Sequence, residues 1–556
     1  MCIRDSVYTM KNIRIIVLLA FLLTSGMLWG QEVILEKGEV EELYEEYGYS
    51  AALEKFGLSN SSASAKEHNI KILADSYRLT GDTENAEYWY EQLMNTSATS
   101  SLDELYYAQA LLSNGKYAKA KEWFLKYSQS EGNTDNLGQQ LAQACDKATV
   151  MLADKDVIVK NMEDMNSEKL DFSPMFYENG LVFTSTRTSN QKLTKRKDLW
   201  TNDNFMDLYR ADVDADNFTT GVSHLFREVN IRYHDGAATF TKDQGTMYFS
   251  RSNYKNGKRR KDKKGITRLK ICEAKNDGRG WSEVVELPFN DDDFDTCHPT
   301  LDASGNVLYF TSDRPGGYGG MDIYRSRKTG NIWSTPENLG PKINTEGNEI
   351  FPFIHQDGTL YFASNGLPGI GGLDVFSTTE ISSNIENTNW TAPVNLGKPI
   401  NTNKDDFSLI VDISGTRGYF TSNREGGKGM DDIYSFVTKK GIQNIGKSVA
   451  ETMMATAQIC VIDEKTNARL KDVKVSVMEA TESYETRMTS KVFDNEEFMV
   501  ELKPLDESKE KFSLNLIRKM DQNVLQSVDR ELFTDAQGGL SPVSYTHLTL
   551  PTICSV

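Results

Sequence analysis

Thr311-Ser312-Asp313-Arg314-Pro315-Gly316-Gly317-Tyr318-Gly319-Gly320-Met321-Asp322-Ile323-Tyr324 is one of three near-copies of a single phrase. Residues 364–376 read SNGLPGIGGLDVF, and residues 422–434 read SNREGGKGMDDIY. Two copies carry a companion: 333–345 reads WSTPENLGPKINT and 390–402 reads WTAPVNLGKPINT. Short β-rich runs and Gly-rich turns recurring every ~50–60 residues are the signature of propeller blades, whose strands are lettered A to D from the channel outward.

The repeat lays out whole blades. Blade three takes 298–301, 307–311, 322–326 and 333–339 as A to D; blade four takes 351–355, 359–364, 373–378 and 390–396. Two weaker blades precede them. The first uses 172–176, 181–185, 207–210 and 223–229; the second uses 236–240, 246–251, 268–273 and 281–288. A fifth blade offers 407–411, 418–422 and 432–437 but no D strand. Residues 159–167 read VKNMEDMNS, a shortened VNLGKPINT. This segment is expected to close the ring as the outer strand of blade five, giving a five-bladed propeller over 156–440 with no open edge. The repeated Asp322, Asp374 and Asp432 are expected to hold the Gly-rich B–C turn by accepting backbone N–H bonds.

Ahead of the propeller the spacing changes. Ala52, Ala86 and Ala120 recur every 34 residues, as do Phe56, Tyr90 and Phe124, while Gly81 and Gly115 keep the same step. Gly48 is one residue out of register. The pattern resembles the tetratricopeptide repeat (TPR) over 33–150, a stack of helical hairpins that implies a peptide- or protein-binding face or an assembly platform. Behind the propeller, 456–535 alternates apolar and polar residues in short runs, including 498–502 and 512–516, and predicts a small β-sandwich. Read from Met10, Lys11 and Arg14 precede nine apolar residues, Ile15 to Leu23, so 10–30 is expected to be a signal peptide. Residues 1–9 and 541–556 match nothing around them and read as non-native ends.

The 556 residues carry a net charge of −18, which argues against nucleic acid as a partner. Six scattered cysteines signal neither zinc nor a disulfide framework, and no later segment is apolar enough to span a membrane. No GxSxG, HExxH or Walker motif is present, and no cofactor, metal or catalytic residue is assigned. The run at 212–217 begins like a calcium loop, but its sixth position is Asn217 rather than glycine. One charge feature stands out. Arg187, Lys195, Arg196 and Lys197 occupy the B–C loop of blade one, and Lys258, Arg259, Arg260, Lys261, Lys263 and Lys264 that of blade two. Both loops are expected on one face, where they would form a patch for an anionic partner.

The Gly-rich phrases resemble the PD40 (WD40-like) repeats of Gram-negative envelope proteins. Blade four departs from that pattern, with Asn365-Gly366 where Arg314 and Arg424 stand in its neighbours. The phrase ICVIDEKTNARLKDVKVSV at 459–477 resembles the carboxypeptidase-regulatory-like domain. The order of leader, TPR-like helices, PD40 propeller and regulatory-like module resembles the PorE-like OmpA-family proteins of Bacteroidetes-type bacteria. That resemblance implies a non-catalytic periplasmic scaffold at the outer membrane, binding envelope proteins through its helical and propeller faces. It also implies peptidoglycan binding through a C-terminal OmpA domain not contained in these residues, and service as a type IX secretion accessory. The alternative is a TolB-like propeller that senses a ligand or peptide in its channel.

Overall fold

The computed structural model describes residues 39–58, 67–97, 99–130, 136–153, 156–188, 197–214, 219–225, 229–255, 258–278, 280–281, 284–381 and 389–442 of a first compact unit. In a second unit, beginning at Lys447, it describes five strands.

Seven helices come first: α1 (Glu39–Glu45), α2 (Tyr49–Leu58), α3 (Glu67–Leu79), α4 (Thr83–Met94), α5 (Ser101–Ser113), α6 (Tyr117–Ser128) and α7 (Leu137–Met151). Ala86 and Ala120 are almost fully buried, which lets paired helices approach, and Tyr90 and Phe124 fill the space between hairpins without exposure. Asp82 caps α4 by accepting the Asn85 N–H at 3.1 Å, and Ser100 with Asp103 forms a capping box on α5. Gly81 (φ +83°) and Gly115 (φ +70°) turn the second and third hairpins. Tyr47 (φ +63°) takes the same position in the first. The left-handed turn therefore keeps its 34-residue step, and Gly48 is displaced because the turn residue itself is a tyrosine.

Five antiparallel blades follow, of four strands in blades one, two and five and of five in blades three and four, whose outer segment is divided. Their A, B and C strands are 171–177, 180–185 and 207–213; 235–240, 246–252 and 269–275; 296–301, 307–312 and 322–329; 349–354, 359–364 and 374–381; and 406–411, 417–422 and 432–438. The outer strand of blade one is Thr219–His224 rather than 223–229, because the C strand runs on to Val213 and pairs back across a bulge at Gly221 (φ +65°). In blades three and four the Trp333 and Trp390 phrases split into two short ladders each. Ring closure occurs as the sequence implies, but with the strand at 157–161 rather than 159–167. Val157–Asn161 pairs antiparallel with Asp432–Thr438, from Val157 opposite Thr438 to Asn161 opposite Tyr434, and 162–167 forms the connection to blade one.

B strands are covered on both sides by neighbouring blades, so they read as apolar runs rather than as alternations. Phe183, Phe249, Phe310, Phe362 and Phe420 hold one register in the five blades and are all at most 1% exposed. Four of them face an aromatic across the ladder, Tyr209, Tyr324, Phe376 and Tyr434, with ring centroids 5.7–6.2 Å apart. Blade two has Cys272 opposite Phe249.

An asparagine secures each outer segment to its C strand. Asn344 Oδ1 accepts the Ile323 N–H at 2.8 Å while its Nδ2 donates to the Ile323 carbonyl at 3.0 Å. Asn401 does the same to Val375, Asn290 to Ile271 and Asn230 to Leu208. Asn166, in the closing segment, does it to Ile433 across 267 residues of sequence. Asn166→Ala is expected to leave the Ile433 N–H unpartnered, while the carbonyl keeps the Met162 N–H at 3.0 Å, and to cost about 1–3 kcal/mol, read as a lower denaturation midpoint. An unchanged midpoint would mean that the closing segment is held by its strand pairing alone.

The five strands of the second unit are Lys474–Met478, Arg487–Phe493, Glu496–Pro504, Phe512–Met520 and Val524–Leu532, paired in sequence order as one antiparallel sheet. The expected strands at 498–502 and 512–516 fall inside the third and fourth. The opening run at 459–467 lies outside the described residues. Among the described residues, the expected β-sandwich is represented by this single sheet.

Candidate functional site

All five A strands start on one face of the propeller, where the B–C turns and D–A connections also emerge. The Gly-rich phrase is the B–C turn. Asp322 accepts the Tyr318 and Gly319 N–H groups at 2.7 and 3.3 Å, and Asp374 accepts those of Ile370 and Gly371 at 2.7 and 3.1 Å. Asp432 holds Lys428 and Gly429 in the same way, so these three aspartates are turn residues. A Cβ at Gly319 would lie 2.2 Å from the Thr345 carbonyl, and one at Gly429 2.2 Å from that of Lys169. Glycine is needed there because each turn lies against the following D–A connection. The arginine of the phrase also has a structural partner. Arg424 stacks over Phe420 and Tyr434 at 4.9 Å and pairs with the fully buried Asp406 at 2.6 Å.

The helical array stands on this face by the C-terminal ends of α3, α5 and α7. Final-turn carbonyls have no partner within a helix. Here the propeller supplies donors: Trp200 Nε1 to Leu79 at 2.9 Å, Asn403 Nδ2 to Ser113 at 2.7 Å and the Lys398 N–H to Met151 at 2.9 Å. Leu79, Ser113 and Met151 are the last residues of α3, α5 and α7. Trp200 also meets the Tyr49 ring edge-on at 4.8 Å and accepts the Ser50 N–H at its own carbonyl. Lys404 Nζ donates to Thr83 Oγ1 at 3.1 Å, and Tyr117 to the Ile370 carbonyl at 3.2 Å.

Between the α3–α4 turn and the propeller channel lies a cavity of about 570 Å³. Thr80, Gly81 and Asp82 form its roof, and Leu170, Trp200, Met206 and Leu269 line its sides. Phe172, Phe351 and Phe407 form the floor, their centroids 5.1–6.3 Å apart, and His298 stacks on Phe351 at 3.7 Å. This floor sits on five successive A-strand bulges with left-handed residues Ser173, Ala237, His298, Phe351 and Ser408. Burial holds the His298 imidazole neutral, down at about 3, and its Nδ1 has no hydrogen-bond partner. Asp405 and Asp431 line the cavity wall. Asp405 accepts the Leu373 N–H at 2.8 Å and the Asn423 amide at 3.3 Å, and burial raises its carboxyl. Burial, with Asp405 and Asp432 nearby, pushes Asp431 up to about 7.

A buried acid stands at the start of each A strand, or in blade three just before it: Asp171, Asp235, Asp295, Glu349 and Asp406 are all at most 2% exposed. Arg187, Arg251, Arg268 and Arg424 neutralise the four aspartates. Blade four has Gly366 in place of the arginine, and Glu349 accepts instead from Ser364 Oγ and Thr345 N and Oγ1 at 2.6–2.7 Å. Burial outweighs these bonds and pushes Glu349 up to about 7. A carboxyl with a raised folded pKa contributes stability when protonated, and loses it as pH rises from the unfolded value toward the folded one. Wild-type stability relative to Glu349→Gln should therefore fall between about pH 4.5 and 7 and level off above, measured as melting temperature against pH. A constant difference across that window would contradict it.

The ten basic residues of the expected patch are placed differently. Arg187 is turned inward, bonded to Asp171 and to the Met165 carbonyl, and belongs to the same stacked set as Arg314 and Arg424. Its Ser185-x-Arg187 spacing, shared with Ser312-x-Arg314, was the available signal. Lys195 and Arg196 lie outside the described residues, and Lys197 is exposed. In blade two Lys258, Lys261 and Lys264 are exposed, while Arg259 lies 5.0 Å over the Tyr233 ring. Arg260 and Lys263 reach Asp292 and Asp293 at 3.7 and 2.8 Å, so the acidic run before blade three offsets part of this loop's charge. Asp212 of the calcium-like run pairs with Arg210 at 3.0 Å. Among the described residues no cluster of metal-ligating side chains occurs, and no helix is long and apolar enough to cross a membrane.

A family model described as anaphase-promoting complex, cyclosome, subunit 3 matches residues 79–148, within the TPR-like helices. No curated protein sequence matches the chain. Among solved structures, a TolB-type protein from Agrobacterium tumefaciens aligns at 10% identity and TM-score 0.29, covering 67% of this chain and 88% of its own. An α-L-arabinofuranosidase from Lactobacillus brevis aligns at 12% and 0.31, covering 51% and 94%. A Trypanosoma rangeli sialidase aligns at 9% and 0.31, covering 69% and 85%. Such likenesses carry no argument about activity. The chain is TPR-like helices joined to a five-bladed propeller, and the strand pairing and helix docking themselves establish it.

Proposed function

We propose that this protein is a non-catalytic scaffold of the cell envelope, in which helical array and propeller act as one recognition body. The observation that carries this reading is the docking of three helix C-termini on the propeller face. It fixes two repeat surfaces, each of a kind suited to protein partners, in one orientation. Exposed Tyr88, Leu102 and Val150 on the array supply apolar contact points for a partner. The leader-like run at 10–30 and the PD40 resemblance support a periplasmic location. Through the resemblance, the proposal extends to outer-membrane association, peptidoglycan tethering by an OmpA-like domain and a type IX secretion accessory role.

A second reading, a propeller that senses a ligand or peptide, is favoured by one feature, the cavity over the channel.

Envelope fractionation with cross-linking tests the scaffold. The chain should fractionate with the outer membrane, and one partner should cross-link to both helices and propeller. Trp200→Ala removes the indole bond to Leu79 and the Tyr49 contact, and should make the array protease-sensitive while the propeller stays folded. It should lower capture of that partner at least several-fold. Cytosolic fractionation, or hydrolysis of glycan or peptide by the pure protein, would overturn the scaffold.

A further inference from the structure

The cavity departs from the repeat at one position. In blades one, three and four the residue before the C-strand aspartate is Met206, Met321 or Leu373. Its backbone carbonyl accepts the N–H of the next blade's buried acid, Asp235, Glu349 or Asp406, at 2.7–3.0 Å. Asp431 occupies the same position in blade five, its carbonyl accepting the Asp171 N–H at 2.8 Å. An apolar column thus becomes acidic where it faces the cavity. The Asp431 carboxyl makes no hydrogen bond or ion pair with any described residue, and the repeat's own architecture has no use for it.

Three further features fit the same occupant. The floor presents the rings of Phe172, Phe351 and Phe407, whose faces attract cations. Lys404 on the wall donates to the neutral Thr83 hydroxyl and keeps its charge, which acts on Asp405, but with Asp431 the wall holds two carboxyls against this one cation. The remaining lining is mixed, with Leu170, Met206 and Leu269 as its apolar part and Thr201, His234, Ser250 and Asn423 as its polar part, and the half-exposed Met430 also borders it. A volume of about 570 Å³ lies within the range of ~300–1,000 Å³ that small-ligand pockets span.

We propose that the cavity binds the basic side chain of a peptide, its ammonium or guanidinium against Asp431 and its stem on the phenylalanine floor. This deepens the ligand-sensing reading and rests on it. The flanking peptide residues occupy the apolar part of the lining, since the space exceeds a single side chain.

Calorimetric titration of the full chain at pH 7.5 tests it. The probes are acetyl-Leu-Lys-Leu-amide and acetyl-Leu-Arg-Leu-amide, with norleucine and glutamate peptides as controls and hexylammonium as the free amine. Basic peptides should bind at least tenfold tighter than the norleucine peptide and tighter than hexylammonium. Asp431→Asn and Asp431→Met should each abolish that preference at an unchanged or raised melting temperature, the methionine being the residue blade three already tolerates there. Equal binding of hexylammonium and peptide would overturn the peptide assignment. Tighter binding of the norleucine or glutamate peptide, or a preference that survives both variants, would overturn the charge assignment and leave ligand sensing standing. No binding of any probe by a folded chain would remove both.

Discussion

Everything in the first unit depends on closure of the ring. A propeller blade buries both faces against its neighbours, so an unclosed blade five would expose a C strand of hydrogen-bonding edge and the apolar residues beneath it. Val157–Asn161 supplies the missing strand, and Asn166 bonds its connection to Ile433 as tightly as in any continuous blade. Because α7 ends at Met151, only a short link separates the helical array from the closing strand. Closure therefore also delivers the array to the propeller face on which it stands.

Docking follows a simple electrostatic logic. Helix C-termini end in unpaired carbonyls and carry the negative end of the helix dipole. The propeller face offers an indole N–H, an amide and a backbone N–H at the three required places. Such bonds are short-ranged and directional, so they fix orientation more than they add affinity. They leave a space between helix turn and channel mouth that neither domain would enclose alone.

The repeat proved mostly architectural when its residues were placed. Serine, arginine, glycine and aspartate of the B–C phrase each have a partner within the ring, as do the asparagines of the companion phrase. Departures are more informative. Gly366 in place of an arginine leaves Glu349 with hydroxyl and backbone partners alone, and Asp431 in place of methionine or leucine puts a carboxyl into the cavity. Arg187 shows the opposite error: counted among loop charges, it is a member of the stacked arginine set whose serine partner lies two residues before it.

The amino-acid sequence by itself determined the number of blades, the identity of the closing segment and the helical hairpins, because each rests on a local periodicity that recurs along the chain. Even where Gly48 is displaced the turn keeps its step, since the left-handed residue there is Tyr47. Which surfaces meet was decided only by tertiary structure. Trp200 and Asn403 lie outside the repeated phrases, Lys398 stands where the other companion copy has Pro341, and their partners are carbonyls that every helix possesses. The acidic column at Asp431 was visible as a mismatch between MDDIY and GMDIY, yet its meaning required the roof of α3 and α4 above it. Periodicity encodes what packs against its own copies; a site made where two different repeats touch has no copy from which to be read.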